Sequence, residues 1–436
     1  MLEIITRHPN LNPVDPAPPP SDSAAIRRRN LGLVLRHIAD HGPCARTEVA
    51  AATGLAHGSV TALVADLTDR GLLREDDALR SGTRGRPGRP LRLVPDRAAV
   101  AAVQVTSEHL RIAVADLAGE VTRRETVAHD LAPGTPEAMA DLIAGVIARL
   151  ADAVSRPAAE PATAARAAVA EGIPGPMLAR VVVAMAGPVR DDAAQTVVVA
   201  PDFGWMGPVR LRDLVTARLP ELPIAIDVVN DANAAALAEF HALDRDSRGL
   251  VLIEAGTGIG GGVVLDGRIH TGSHGIAGEP GHLPVSLDGP DCLCGARGCL
   301  VCFAGPEAVY EAAGLTDLLR QRGLRSAEAE LLARLRRDDP RATAALATAA
   351  RALSAAVLSI TALLDVDEVV LGGLLAEWYP WLSPALEADL SGRRALAPGL
   401  GLRISPSALG EDGIVAGALG FARRAILSDP SLVPGR

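Results

Sequence analysis

One imidazole and three thiols crowd a short stretch of the chain: His282, Cys292, Cys294 and Cys299, spaced His-x9-Cys-x-Cys-x4-Cys. This donor set suits a tetrahedral zinc ion, and four such ligands leave no open coordination position, so the expected metal is a structural Zn2+. Cysteines of an apolar core are the competing reading. Asp288, Gly289, Pro290, Asp291, Gly295 and Arg297 surround these thiols, however, which is no core composition. Cys302 and His274 are the alternative ligands, with Cys302 expected to pack inward near Phe303. Five cysteines in 436 residues make no disulfide scaffold, and clustered thiols in a reducing compartment mark a metal.

Two further segments have residue types suited to chemistry. Gly256-Thr257-Gly258-Ile259-Gly260-Gly261-Gly262 follows a strand-like run, and such glycine density lets backbone N–H groups approach an anion. A tight hairpin turn between two strands is a serious competing reading, and with no lysine following, the phosphate-loop NTPase motif is excluded. Asn230-Asp231-Ala232-Asn233 ends another strand-like run. A carboxylate there can act as general base toward a sugar hydroxyl, or simply cap the helix that follows.

The elements that position these residues alternate in type. Strands are expected at Val100–Val114 (a hairpin continuing to a turn at Gly119), Val181–Ala184, Ile224–Val229, Leu250–Ile253 and Val369–Leu371, and a helix over 136–154. An Ala/Pro-rich surface connection is expected over 155–176. Strand hairpin, helix and strand recur, which predicts an α/β body of two similar lobes with a cleft between them. No run approaches the ~18 uncharged apolar residues of a membrane span, and Met1–Asn10 shows no secretory signal. The expected location is cytoplasmic.

The N-terminal part has a different texture. Residues 1–98 carry a net charge of +3 on a chain whose total is −9, so a small basic module precedes an acidic body. Residues 1–22 read as a disordered Pro/Asp-rich leader. Leu31, Val34, Leu35 and Ile38 then mark one helix stopped by Gly42-Pro43, and a short second helix ends at Thr53-Gly54. A third carries Val60, Leu63, Val64 and Leu67 on its apolar face. A Gly/Arg/Pro-rich stretch and a strand at Leu91–Val94 complete a winged helix-turn-helix over 23–95. His57, Ser59 and Thr61 are expected to meet base edges, and Arg84, Arg86 and Arg89 of the wing to enter a minor groove.

The segment Gly278-Glu279-Pro280-Gly281-His282, the three cysteines and Phe303-Ala304-Gly305-Pro306 together resemble the signature of the ROK family (repressors, open reading frames and sugar kinases). Asn230–Asn233, Gly256–Gly260 and Pro201-Asp202-Phe203-Gly204-Trp205 stand in that family's order, and the head resembles that of its repressor branch. The resemblance implies a two-lobed actin-like ATPase (ribonuclease H-like) fold over 96–436 and a homodimer or tetramer. It also implies sugar contacts by Asn230, Asp231, Glu279 and His282. Family kinases open their first hairpin with Asp-x-Gly-Gly-Thr; here the stretch reads Gln104-Val105-Thr106-Ser107-Glu108, so the group that positions metal and phosphate is missing. Val301 replaces a family glutamate of the sugar set, which implies weak hexose binding and a preference for a pentose or deoxy-sugar.

The reading is a zinc-containing, non-enzymatic transcriptional regulator, a repressor of carbohydrate-use genes. It binds an inverted-repeat operator in double-stranded DNA and responds to a sugar or sugar derivative. The alternatives are an active glucokinase-like ROK sugar kinase with a DNA-binding head, and a regulator governed by a phosphotransferase-system protein, as some relatives are.

Overall fold

Asp22 starts the first helix by accepting the Ala25 N–H at 2.6 Å, and Gly42, at φ +74°, ends it. In the computed structural model, which describes residues 22–76, 89–156, 175–243, 246–396 and 401–435, this helix is α1 (Ser23–His41). Helices α2 (Arg46–Thr53) and α3 (His57–Asp69) follow, then strands β1 (Leu73–Glu75) and β2 (Leu91–Leu93), paired antiparallel with Leu73 opposite Leu93. Leu31, Val34, Leu35, Ile38, Val60, Leu63, Val64 and Leu67 are all buried, so one apolar stripe each from α1 and α3, joined by Val49 of α2, closes the small core. Residues 1–21 of the expected leader, the wing arginines Arg84 and Arg86, and most of the 155–176 connection lie outside the described residues.

The body repeats one topology. Strands β3 (Ala98–Val105), β4 (His109–Ala115), β5 (Val121–Ala128), β6 (Met177–Met185) and β7 (Ala225–Asn230) form a sheet of order β5-β4-β3-β6-β7. The hairpins are antiparallel, while β3, β6 and β7 run parallel. Val103, Val105, Ile112, Val181 and Val183 cover one face of this sheet and pack on Met139, Ile143 and Ile147 of α4 (Pro136–Ser155). Phe203 and Trp205 join that core, and the Trp205 indole N–H donates to the Gly134 carbonyl at 2.8 Å.

After α5 (Leu211–Thr216) and α6 (Asp231–Ala242), strands β8 (Gly249–Ala255), β9 (Ile259–Leu265) and β10 (Arg268–Ile269) begin the second sheet. With β11 (Glu368–Gly373) and β12 (Arg403–Pro406) its order is β10-β9-β8-β11-β12, again antiparallel then parallel. Helices α7 (Val301–Ala304), α8 (Pro306–Ala313), α9 (Thr316–Arg322), α10 (Leu324–Leu335), α11 (Pro340–Leu364) and α12 (Leu374–Leu396) belong to this half. Helix α11 is long and apolar enough to cross a bilayer by length and composition, yet Leu346, Leu353, Val357 and Ile360 bury its stripe in the core.

Two compact units result: the described residues of Met1–Asp231 with Val415–Arg436, and Ala232–Ile414. The last helix, α13 (Gly413–Ser428), thus returns the chain to the first unit, which also contains the head.

Candidate functional site

The metal-ligand cluster is assembled by turns rather than by a core. Pro280–His282 forms a single 3-10 turn lying so close to β9 that a Cβ on Gly281 would stand 2.2 Å from the Ile259 carbonyl oxygen. Short antiparallel rungs, Pro284 with Cys299 and Asp291 with Arg297, fold the cysteine loop back on itself. Its tip closes through the Cys292 N–H to the Ala296 carbonyl at 2.8 Å. Gly298, at φ +69°, passes over Ser286 where a Cβ would be 1.8 Å from the carbonyl oxygen; no other residue fits beside Cys299.

The result brings His282, Cys292, Cys294 and Cys299 together, with all ligand atoms within 4.8 Å of one another. Cys292 Sγ stands 3.6 Å from His282 Nδ1, and Cys294 Sγ stands 3.7 Å from Cys299 Sγ. Two ligands on a tetrahedral zinc, at ~2.3 Å for sulfur and ~2.0 Å for nitrogen, are separated by roughly 3.5–3.8 Å, so the residues fit the ion. The set can bind a metal. Burial pushes the Cys299 thiol up to about 12. Desolvation also opposes the Cys292 thiolate, but hydrogen bonds from Cys294, His282 and Cys299 outweigh it and bring that group down to about 6. The alternatives Cys302 and His274 stand outside the four-residue group.

The residues of the expected sugar set divide between the units. Asn230 ends β7 and donates from Nδ2 to the Gly187 carbonyl at 3.0 Å; Asp231 opens α6, and both are half-buried. Glu279 precedes the 3-10 turn of the second unit and His282 ends it, Glu279 half-buried and His282 exposed. Val301 is partly buried on the apolar core of its unit. The glycine run serves two purposes. Gly256 and Gly258 form the β8–β9 turn and face open space, whereas Cβ atoms on Gly261 and Gly262 would collide with Pro280 and Ala236.

The turn between β3 and β4 is closed on itself. Thr106 Oγ1 accepts the N–H groups of Glu108 at 3.4 Å and His109 at 3.1 Å and donates to the His109 carbonyl at 2.9 Å. His129 Nδ1 accepts the Leu131 N–H at 3.2 Å, so the ring proton is on Nε2, which donates to the Thr106 carbonyl at 3.0 Å. Gln104 is buried beside the turn, and its Oε1 has no hydrogen-bond partner among the described residues.

In the head, His57, Ser59 and Thr61 are all exposed. At 3.6 residues per turn, His57 and Thr61 occupy one flank and Ser59 the other. Gly58, Ala62 and Ala65, also exposed, form the mid-line opposite the buried stripe and were not among the expected contacts. The base of the ribbon is less freely basic than the arginine count implies. Glu75 pairs with Arg46 and lies 3.9 Å from Arg89, while Asp76 takes Arg92 at 2.8 Å and Arg74 at 3.5 Å.

A model of the ROK family matches residues 100–425. The chain belongs to the ROK family. A MarR family model matches residues 32–80, so this ROK protein carries a MarR-type winged helix-turn-helix ahead of its actin-like body. A solved ROK family transcriptional regulator, a homologue of the E. coli MLC protein, shares the fold at a TM-score of 0.74 and 23% identity, covering 93% of this chain and 98% of its own. A ROK glucokinase from Streptomyces griseus, solved with glucose and AMPPNP, aligns at a TM-score of 0.55 and 26% identity over 75% of this chain and 99% of its own. N-acetylmannosamine kinases from Vibrio cholerae and Citrobacter koseri are 34% and 39% identical over 164 and 154 residues, 35% of this chain in each case. The chain spans about half the length of these curated relatives, 52% and 51%.

Proposed function

We propose that this ROK protein is a cytoplasmic DNA-binding transcriptional regulator, a repressor of carbohydrate-use genes, in which a kinase-derived body senses a sugar instead of phosphorylating it. The observation that carries the reading is the β3–β4 turn. A phosphate-holding turn must offer free backbone N–H groups and a metal-positioning carboxylate. Here the Thr106 hydroxyl takes the N–H groups of Glu108 and His109, and Gln104 stands where the family resemblance implies a carboxylate. The match to the MLC homologue spans head and body, 93% of the chain against 75% for the glucokinase, which supports the same reading.

The domains in this reading are a leader over 1–22, the DNA-binding head over 23–95 and the ROK body over 96–436. The head acts as a homodimer or higher oligomer on an inverted repeat. The N-terminal half of α3 meets base edges through Ser59, Thr61 and His57, and Arg84, Arg86 and Arg89 reach the backbone and minor groove. Asn230, Asp231, Glu279 and His282 supply the paired donors and acceptors that sugar hydroxyls need. His282, Cys292, Cys294 and Cys299 would hold a Zn2+ ion, which would supply a structural crosslink to the cysteine loop; His282 turns Nδ1 toward Cys292, leaving Nε2 for the sugar. A sugar that favours one arrangement of the body then shifts the operator-binding population.

A thermal-shift screen against sugars and their phosphates, repeated as operator release, tests the sensing half. A stabilising sugar that also frees DNA supports it, and a panel with no shift rejects it. The second reading, an active sugar kinase with a DNA-binding head, draws on the open Gly256–Gly258 turn and the kinase-named relatives. ATP-dependent phosphorylation of any sugar in the same panel would establish it.

A further inference from the structure

Arg97 occupies the join between head and body, at the end of a 3-10 turn (Pro95–Arg97) linking β2 to β3, and is only 4% exposed. Its guanidinium meets three backbone carbonyls from distant segments. Nε donates to Arg70 at 2.9 Å, Nη1 to Gly175 at 2.9 Å and Nη2 to Pro434 at 3.0 Å. Arg70 is the C-cap of α3; Gly175 precedes β6 of the first sheet; Pro434 follows the last helix. One buried side chain therefore ties the end of the base-reading helix to the sheet and to the C-terminal segment.

Neighbouring contacts repeat the connection. Arg70 itself donates to the Val433 carbonyl at 2.7 Å. On α1, Gly32 lies so close to the end of α13 that a Cβ would stand 2.2 Å from the Ser428 carbonyl oxygen, and Arg36 donates to Ser428 Oγ at 3.1 Å. Arg423 of α13 donates to the Leu117 carbonyl in the β4–β5 turn at 2.8 Å and attracts Asp40 at the end of α1. A head on a flexible tether would need none of this. A buried cation is costly to desolvate, and three fixed acceptors make its position stiff.

We infer that Arg97 is a positioning residue that locks α3 to the first sheet, so that the paired heads of an oligomer read a single half-site spacing. The inference rests on the regulator reading above. Two heads held rigidly gain effective concentration only on a repeat whose separation matches theirs, whereas loosely held heads accept many separations at lower gain. Arg97 touches no DNA in this scheme; it acts through the position of α3.

The test uses the full chain on inverted repeats with stepped spacers and on a single half-site taken from the same selected operator. Wild type should prefer one spacing, and its counterpart one helical turn longer, by on the order of 10²-fold over spacings half a turn away. Arg97→Gln should bind the single half-site as wild type does, while its spacing preference falls to about threefold or less; Arg97→Lys should fall between. Because Arg97→Gln can also loosen the fold, a chain ending at Leu432, which lacks the Val433 and Pro434 acceptors, provides a second route to the same loss. If either variant, shown folded by a cooperative melt, keeps the wild-type spacing preference, the inference is wrong. If both melt non-cooperatively, Arg97 is a folding residue and the inference is equally wrong. A wild-type chain that binds neither repeat nor half-site rejects the regulator reading itself, an outcome distinct from unchanged spacing in the variants.

Discussion

The hydroxyl of Thr106 is 3.1 Å from the backbone nitrogen of His109 and 2.9 Å from its carbonyl oxygen, closing in one loop both a donor and an acceptor of the β3–β4 turn. A phosphate at this turn would have to break those bonds before making its own. Restoring the missing carboxylate alone is therefore insufficient. Gln104→Asp should leave sugar-dependent ATP turnover at background, and the added Thr106→Gly change should be needed before any turnover appears. A coupled assay with glucose and N-acetylmannosamine checks this; turnover from Gln104→Asp alone would show that the closed turn is no barrier.

The thiol cluster should contain about one zinc per chain in freshly purified protein. Cys294→Ser should abolish it and cost several kcal/mol, because structural zinc affinity of roughly 10 kcal/mol or more is folding free energy. Cys302→Ser should leave metal content unchanged, since Cys302 stands outside the four-ligand group. Elemental analysis of the three proteins, with melting curves before and after chelator, decides the matter.

On α3 the small mid-line residues should matter as much as the polar flanks. Ala62→Leu should weaken specific DNA binding by about tenfold or more by holding the helix off the groove, with little effect on stability because Ala62 is exposed. Ser59→Ala and Thr61→Ala should instead change sequence preference by ~1–3 kcal/mol at individual positions. Quantitative binding to a randomised operator separates the two effects. Leu35→Ala, in the head core, should cost about 2–5 kcal/mol in a melt.

The second unit contains a buried carboxylate with pH consequences. Glu328 accepts the Tyr310 hydroxyl at 2.6 Å and the Trp378 indole N–H at 3.0 Å, and burial raises its pKa despite both bonds. The folded state therefore retains the proton to higher pH than the unfolded chain does. The Glu328 contribution to stability is full below the ordinary glutamate pKa, ~4.3, and declines as pH rises through the higher folded value. Glu328→Gln, which can still accept both hydrogen bonds, should flatten that slope. Melting both proteins from pH 4.5 to 8 checks it, and parallel curves would contradict it.

Much of this was legible in the sequence, and the reason lies in local periodicity. Leu31, Val34, Leu35 and Ile38, and Val60, Leu63, Val64 and Leu67, are buried as their helical spacing requires. The cysteine spacing likewise picked out the four residues whose donor atoms the fold brings within 4.8 Å of one another, a set that can bind a metal. The hidden parts all depend on contacts between distant segments. Nothing near Arg97 announces that its partners are Arg70, Gly175 and Pro434, and α13 looks like any amphipathic helix until it is seen back in the first unit. The ion pairs at the base of the wing are hidden for a related reason: Asp76 takes Arg92 and Glu75 takes Arg46, contacts that the pairing of β1 with β2 sets up.

The most direct test of the regulator reading is selection of binding sites from a random double-stranded library by the full chain at physiological salt. The account predicts enrichment of one inverted repeat, bound with a Kd in the range of about 10⁻⁸–10⁻¹¹ M and at least about 10³-fold above non-specific DNA, and lost when residues 1–95 are removed. Enrichment of no sequence, or equal binding by the chain without residues 1–95, would contradict it.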